Sequence, residues 1–524
     1  MRPSLLWPGM ERERLQRWDR WPLALVAALA FAVRWTIRDA HPYTAEAAHY
    51  ALSLHLWHGV DNLDSVFADV VQDDFSWFFW QRPLLILLYW PAASLGGFAG
   101  YRIAHIVVAS LVPVLAAVLL RQLGTRPVYT YGAAAVLAVH PVLVPWSVLV
   151  LPDTTVLAFT LAGLLAAHAG RPFATAGLLL AGAWVKEIGF VTVAALLVIA
   201  LWQEADGRRA RLWPLRLGPF ATLLLPTLAL CFLPLFVSMT LPNAALPGFR
   251  VGGTTSEAIE RLFLLAWLAP VPFLGLLVPP ARRLALVALA WPAFFLAYHL
   301  ATGKAVEVWY NVVPATMVLV ASAATLSHLP REGPPVRKWA PAALSAFLAL
   351  LILVQVVVPG STALNHAVAT PLTRTGMWDL EEALAYERVR DDELFAVMSV
   401  APAGDGRTWL VLDMDYSLVM YPIAERVGLV LKDFTIEGDL SDDGLRFWAD
   451  AVENRSDATL MAANGVTLNA ALRNAYAPCA MTAGLYTSIV PVDCQGYSGR
   501  LIEAFRAEQA RKFPDKVGGA AAAA

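Results

Sequence analysis

A chain of 524 residues, 58% hydrophobic and only 15% charged, is too apolar to be a soluble protein of that length. The formal net charge of −2 averages two unlike parts: residues 1–359 carry 25 bases and 18 acids, whereas residues 360–524 carry 14 bases and 23 acids. No basic patch outside short loops supports a nucleic-acid partner.

The first apolar run lies near 22–37, behind an arginine-rich start from Arg12 to Arg20. No small-residue cleavage site follows, so the run is expected to remain as an anchor with the N-terminus in the cytoplasm. The segment from Arg38 to Arg82 then holds seven acids, Asp39, Glu46, Asp61, Asp64, Asp69, Asp73 and Asp74, and its only bases are the two end residues. It closes on the aromatic run Phe75-Ser76-Trp77-Phe78-Phe79-Trp80. Pro83 to Leu95 is apolar but short of the roughly 20 residues a crossing needs. It is read as an interfacial or re-entrant helix, so that the first outer loop runs over 38–100.

Further spans are expected near 101–120, 128–146, 154–168, 172–186, 188–202, 217–240, 259–279, 284–301, 308–327 and 340–358. With these, Arg121/Arg126, Arg171, Arg208/Arg209/Arg211/Arg216, Arg282/Arg283 and Arg331/Arg337/Lys338 all fall in cytoplasmic segments. Counting Pro83–Leu95 as a span breaks that alternation. The fold class is therefore a polytopic α-helical membrane protein with about 11 transmembrane helices. Residues 1–359 form the transmembrane domain, and the C-terminus lies outside.

Residues 360–517 read as an extracytoplasmic soluble α/β domain. Strands are expected at 408–413, 429–436 and 458–462, with a closing strand or hairpin over 482–492. Helices are expected at 418–427, 445–454 and 468–476. Asp413 and Asp415 follow the first strand and read as a chance strand end. Cys479 and Cys494 are a candidate disulfide if the domain is outside the cytoplasm, with two free thiols as the alternative. Cys231 reads as core packing, and 518–524 as a disordered tail.

Ionisable groups at membrane depth are expensive and mark sites. Those expected on the outer side are Glu46, His49, Asp73, Asp74, Arg82, Arg102, His105, His140, Asp153, Lys186, Glu187, Lys304, Glu307 and Tyr310. They recur after alternate spans and can converge on one outward-facing cavity. Glycosyl transfer there needs a carboxylate to take the acceptor's proton and a cation to hold a lipid-phosphate leaving group. His55 and His58 share a helical face, but with His49 they make no firm ligand set. No cofactor or metal ligand is assigned, and a divalent metal stays open.

Four segments resemble a known group. Thr44-Ala45-Glu46-Ala47-Ala48-His49-Tyr50 stands where the group has an acidic Asp-Glu motif. Asp73-Asp74-Phe75 with Arg82-Pro83-Leu84, His140-Pro141 with Trp146 and Asp153, and Lys186-Glu187-Ile188-Gly189 follow in order. The group is the GT-C polytopic glycosyltransferases. Within it the chain is similar to the dolichyl-phosphate-mannose-dependent, family 39-like protein O-mannosyltransferases and to the transmembrane TPR-containing mannosyltransferases. The resemblance covers residues 40–190, with Glu307-Val308-Trp309-Tyr310 later.

The resemblance implies transfer of mannose or a similar hexose from a polyprenyl- or dolichyl-phosphate donor to a protein, lipid or glycan hydroxyl. Transfer would be inverting and on the outer side of a membrane, here expected to be a prokaryotic cell membrane with membrane lipids as partners. Glu46, Asp73 and Asp74 are the candidate catalytic acids. Arg82, Lys186 and Arg102 would hold the donor phosphate, and Tyr50, Trp77, Trp80, His140, Asp153, Glu187, Glu307 and Tyr310 would line the substrate. Ala45 departs from the group's aspartate, which passes its role to Glu46 or to Asp73/Asp74.

Each group also has a bland reading. Glu46 is a solvated loop acid, Asp73/Asp74 a helix cap, Arg82 a snorkelling side chain, His140 a core histidine, and Lys186-Glu187 an internal ion pair. At the level of function, the alternatives are a lipid or solute transporter or flippase, and a non-catalytic membrane scaffold.

Overall fold

The computed structural model describes residues 19–36, 82–139, 143–206, 219–240, 270–302 and 312–329, together with 38, 46, 49, 50 and 53. In the C-terminal part it describes 408–411, 433–436, 458–463, 482–483 and 487–490, with positions 470, 473–475, 500, 503, 504, 506, 507 and 511. The chain forms two compact units. One comprises Met1–Asp39, Phe78–Leu88 and Arg102–Glu381, the other Ala40–Trp77, Tyr89–Tyr101 and Glu382–Ala524.

The helices are α1 (Arg20–Thr36), α2 (Pro83–Gln122), α3 (Pro127–Val139), α4 (Leu143–Val148), α5 (Pro152–His168), α6 (Pro172–Val185), α7 (Phe190–Asp206), α8 (Pro219–Cys231), α9 (Leu233–Thr240), α10 (Pro270–Gly275), α11 (Arg282–Thr302) and α12 (Val312–His328). Proline opens six of them, where its fixed φ suits the first turn and its missing N–H costs nothing. Among the described residues, Pro83–Gln122, Pro219–Val237 and Arg282–Ala301 are long and apolar enough to cross a bilayer. Trp21 is 75% exposed, and Phe173, Leu95 and Phe236 lie similarly bare on the helix surfaces. Such apolar exteriors suit lipid rather than water, so the protein is a helical membrane protein.

Two spans differ from expectation. The segment Pro83–Leu95 and the span near 101–120 are one 40-residue helix, α2, bent at Gly96 and Gly97. Gly97 has φ 58° and ψ −154°, a region essentially closed to other residues. The limb before the bend is about 20 Å long and the limb after it about 37 Å, at 1.5 Å per residue. Only the second matches the roughly 30 Å apolar layer. The span expected over 128–146 is broken into α3 and α4. α3 ends at Val139, two residues before Pro141, whose ring disfavours a helical residue ahead of it. Of the span near 259–279 only α10 is described with the turn that follows it, and 340–358 lies outside the described residues.

The first unit is tied at named points. Asp19 Oδ1 accepts from Arg121 Nε (3.2 Å) and from the Tyr131 hydroxyl (2.5 Å), fastening the start of α1 to α2 and α3. Ser327 Oγ accepts from the backbone N–H of Arg126 (2.8 Å), and His328 Nε2 lies 3.0 Å from the Leu123 carbonyl, which binds the end of α12 to the α2–α3 turn. Trp291 Nε1 of α11 donates to Thr192 Oγ1 of α7 at 3.2 Å. α12 is the core: every residue from Val312 to Ser327 is buried, against α3, α4, α5, α10 and α11. A helix apolar on all sides has to be enclosed. Two of its hydroxyls are satisfied within it, Ser322 on the Val318 carbonyl and Thr325 on that of Ala321.

In the second unit, β1 (Thr408–Val411), β2 (Asp433–Ile436), β3 (Ala458–Ala463), β4 (Thr482–Ala483) and β5 (Thr487–Val490) form a sheet in the order β2-β1-β3-β5-β4. β1 is parallel to β2 and β3, with Trp409 opposite Phe434 and Thr459. β5 is antiparallel to β3 and to β4. Parallel neighbours need crossover connections. Those stretches, with the helices expected at 418–427 and 445–454, lie outside the described residues, as do Cys479, Cys494 and the tail at 518–524.

Candidate functional site

In the first unit the ionisable groups meet at helix ends. α6 stops at Val185. Lys186 is extended (φ −160°, ψ 133°), and Glu187–Gly189 make one 3-10 turn before α7. Gly189 is required there: a Cβ would lie 2.7 Å from the Ala183 nitrogen and 2.8 Å from the Gly182 carbonyl carbon, both backbone atoms that cannot step aside. Its N–H donates to the Lys186 carbonyl at 2.9 Å. The Lys-Glu-x-Gly segment is thus a tight reversal that carries Lys186 inward.

Lys186 Nζ donates to both oxygens of Asp153, at 3.0 and 2.9 Å. The two residues are 2% and 1% exposed. Asp153 occupies the first turn of α5, behind Pro152, where the helix dipole favours a negative group. Arg82 and Glu187 act electrostatically on Lys186, Arg82 raising the local positive potential and Glu187 lowering it. Asp153 and Lys186 thus form a buried pair, with the half-buried Arg82 and Glu187 acting on it electrostatically. The bidentate partner of Lys186 is Asp153, which the sequence reading had not paired with it.

A second locus in the same unit surrounds His105, fully buried on α2, with a backbone bond to Leu149 and the charges of Arg34 and Arg102 acting on it. Arg102 donates to the Arg38 carbonyl at 2.9 Å. Arg34, 2% exposed, sends Nε to Ser147 Oγ (2.8 Å), Nη1 to the carbonyls of Ala30 (3.0 Å) and Ala138 (3.2 Å), and Nη2 to that of Leu137 (3.5 Å). Arg34 was absent from the expected site. Its sequence signal was slight: an arginine in the last turn of an apolar run, four residues before Arg38.

In the second unit Glu46, His49, Tyr50 and Ser53 are helical, and each is at most 1% exposed. Their spacing of three, four and seven puts them on one helical face. Glu46 is therefore not a solvated loop acid. Ser53 Oγ donates to the His49 carbonyl (2.8 Å). Tyr50 packs edge-on to Phe98 and against Tyr101, which in turn meets Tyr89, with ring centroids 5.2 to 5.7 Å apart. This aromatic nest fixes the face that carries Glu46.

Asp73, Asp74, Trp77, Trp80, His140, Glu307 and Tyr310 lie outside the described residues. Among the described residues no cluster of three or more His, Cys, Asp or Glu side chains is arranged to hold a metal ion. No family model matches the chain, and no curated protein does.

Proposed function

We propose that this membrane protein is a GT-C-type glycosyltransferase that moves mannose or a similar hexose from a polyprenyl-phosphate donor to an acceptor hydroxyl. The observation that carries the reading is the buried Asp153–Lys186 pair with Arg82 in electrostatic reach. Cations held in a dry site are what a phosphate leaving group requires as charge builds on it. Asp153 fixes the ammonium, and Arg82 supplies the positive charge that the pair alone does not.

In this reaction the acceptor oxygen attacks the anomeric carbon from the face opposite the phosphate. The bond from that carbon to the phosphate oxygen breaks, its electrons stay on the phosphate, and the sugar inverts. Glu46 takes the acceptor's proton, with Asp73 or Asp74 assisting. Its burial on the helical face that carries His49 and Tyr50 supports that role, because it holds the carboxylate in one orientation. Arg102, Tyr50, Trp77, Trp80, His140, Glu187, Glu307 and Tyr310 complete the donor and acceptor surfaces. With about eleven crossings, the positive-inside rule would put the site and a C-terminal α/β domain outside the cytoplasm.

The test is transfer from labelled polyprenyl-phosphate mannose or glucose, in nanodiscs, with a membrane extract as acceptor source. Wild type and Glu46→Gln are run side by side. Transfer by wild type with a loss of roughly 10²- to 10⁴-fold in Glu46→Gln is expected. Wild-type transfer by Glu46→Gln sinks the role of Glu46, and no transfer by wild type sinks the enzyme assignment. The break between α3 and α4 favours one second reading, a transporter or flippase, since such proteins interrupt helices at membrane depth. Flux of a lipid-linked sugar without a covalent product would select it.

A further inference from the structure

We propose that Arg34 and Ser147 form a clasp that positions Asp153 against Lys186. α3 has 13 residues, about 20 Å at 1.5 Å per residue. It starts at the same end as α1, where Asp19 meets Tyr131, so it stops short of the roughly 30 Å an apolar layer measures. Its last four carbonyls have no partner within the helix, and at membrane depth a freed carbonyl needs a partner from the protein. Arg34 supplies two of the missing donors, to Leu137 and Ala138. A cation at a helix C-terminus also complements the dipole.

The third arm of the fork reaches forward. Ser147 Oγ accepts from Arg34 Nε while its own hydroxyl donates to the Val144 carbonyl at 2.7 Å, so α4 is locked to α1. The seven residues from Ser147 to Asp153 are all buried. The Leu151 N–H closes on the Leu149 carbonyl at 2.6 Å, leaving little slack before α5 begins at Pro152. The carboxylate is thus delivered by a short, enclosed segment whose upstream anchor is one guanidinium. All four acceptors of that guanidinium are neutral, so its role is geometric: a planar fork joins α1, α3 and α4, which a lysine's point charge cannot do.

The clasp bears on catalysis only under the reading proposed above, and one experiment separates the two. Full-length protein in nanodiscs is reductively methylated, and the rate at Lys186 is followed by peptide mass spectrometry, the other five lysines serving as references. Wild type, Arg34→Lys, Ser147→Ala, the double variant and Asp153→Asn are compared. Asp153→Asn labels fastest at Lys186. Ser147→Ala and Arg34→Lys speed labelling by about three- to tenfold, as loss of one or two hydrogen bonds allows, and the double variant goes no further than Arg34→Lys. Lys186 labelling at the wild-type rate in both single variants overturns the clasp, and so does an equal rise at all six lysines. Where Arg34→Lys fails to give monodisperse protein, Ser147→Ala decides alone by the same criterion. In the transfer assay Arg34→Lys lowers kcat more than it raises the donor KM. A wild type that transfers nothing overturns the glycosyltransferase reading and leaves the labelling rates to decide the clasp.

Discussion

At the scale of single residues, the energetic weight of the site sits on Asp153 and Lys186. Lys186→Met leaves a carboxylate buried without its cation, which typically costs about 3–5 kcal/mol. Asp153→Asn/Lys186→Met removes both charges and should cost much less than the sum of the single changes. Apparent melting temperatures in a double-mutant cycle check this; simple additivity would mean the two groups are not coupled in the membrane. Under the proposed function activity should behave differently, with the double variant as impaired as Lys186→Met, because the ammonium proposed to help hold the phosphate is absent from both. The sequence made Lys186 and Asp153 visible as polar groups at membrane depth, 33 positions apart. It did not reveal their pairing, because local spacing suggested Glu187 as the nearer partner. Arg34 stayed hidden for a related reason: what a buried guanidinium caps depends on which helix ends beside it.

Helix ends and bends govern the next scale. Apolar runs marked nearly all the helices, and prolines marked many of their first turns. What composition does not report is continuity. Leu95-Gly96-Gly97 reads equally as a loop between two helices or as a bend within one, and the chain takes the bend. The converse holds for 128–146, where a mostly apolar stretch reads as one span although Pro141 signals a stop. Gly97→Ala places a Cβ at a positive φ and should cost about 1–3 kcal/mol. Gly189→Ala forces apart α6 and the turn that carries Lys186. It should lower transfer severely, while Gly96→Ala, with open space around a new Cβ, serves as the mild control. Transfer rates and thermal scans of the three variants test the ranking. Gly189→Ala indistinguishable from Gly96→Ala would mean the turn is looser than its geometry implies.

For the molecule as a whole, the expected topology rests on charge distribution rather than on any one helix. The arginines at 208, 209, 211 and 216 are expected in the cytoplasm and the acid-rich residues after 360 outside. In a background lacking the three native cysteines, Ala210→Cys should react with a membrane-impermeant maleimide only after the cytoplasmic side is opened, and Ser441→Cys should react from outside. Labelling of both from one side would remove a crossing between them and reverse the outer placement of the C-terminal sheet.

The enclosure of α12 has a consequence for how the protein is made. Helices enter the membrane in the order of synthesis, and this one follows the five it packs against. Until Val312–Ser327 emerge from the ribosome, α3, α4, α5, α10 and α11 surround an unfilled slot that lipid chains must occupy. Completion of the bundle is then a displacement of lipid by protein late in synthesis. A chain ending at Thr302 should be inserted yet short-lived, its nascent bundle open along one side to the proteases that survey the bilayer, and pulse-chase turnover against full-length protein measures this directly.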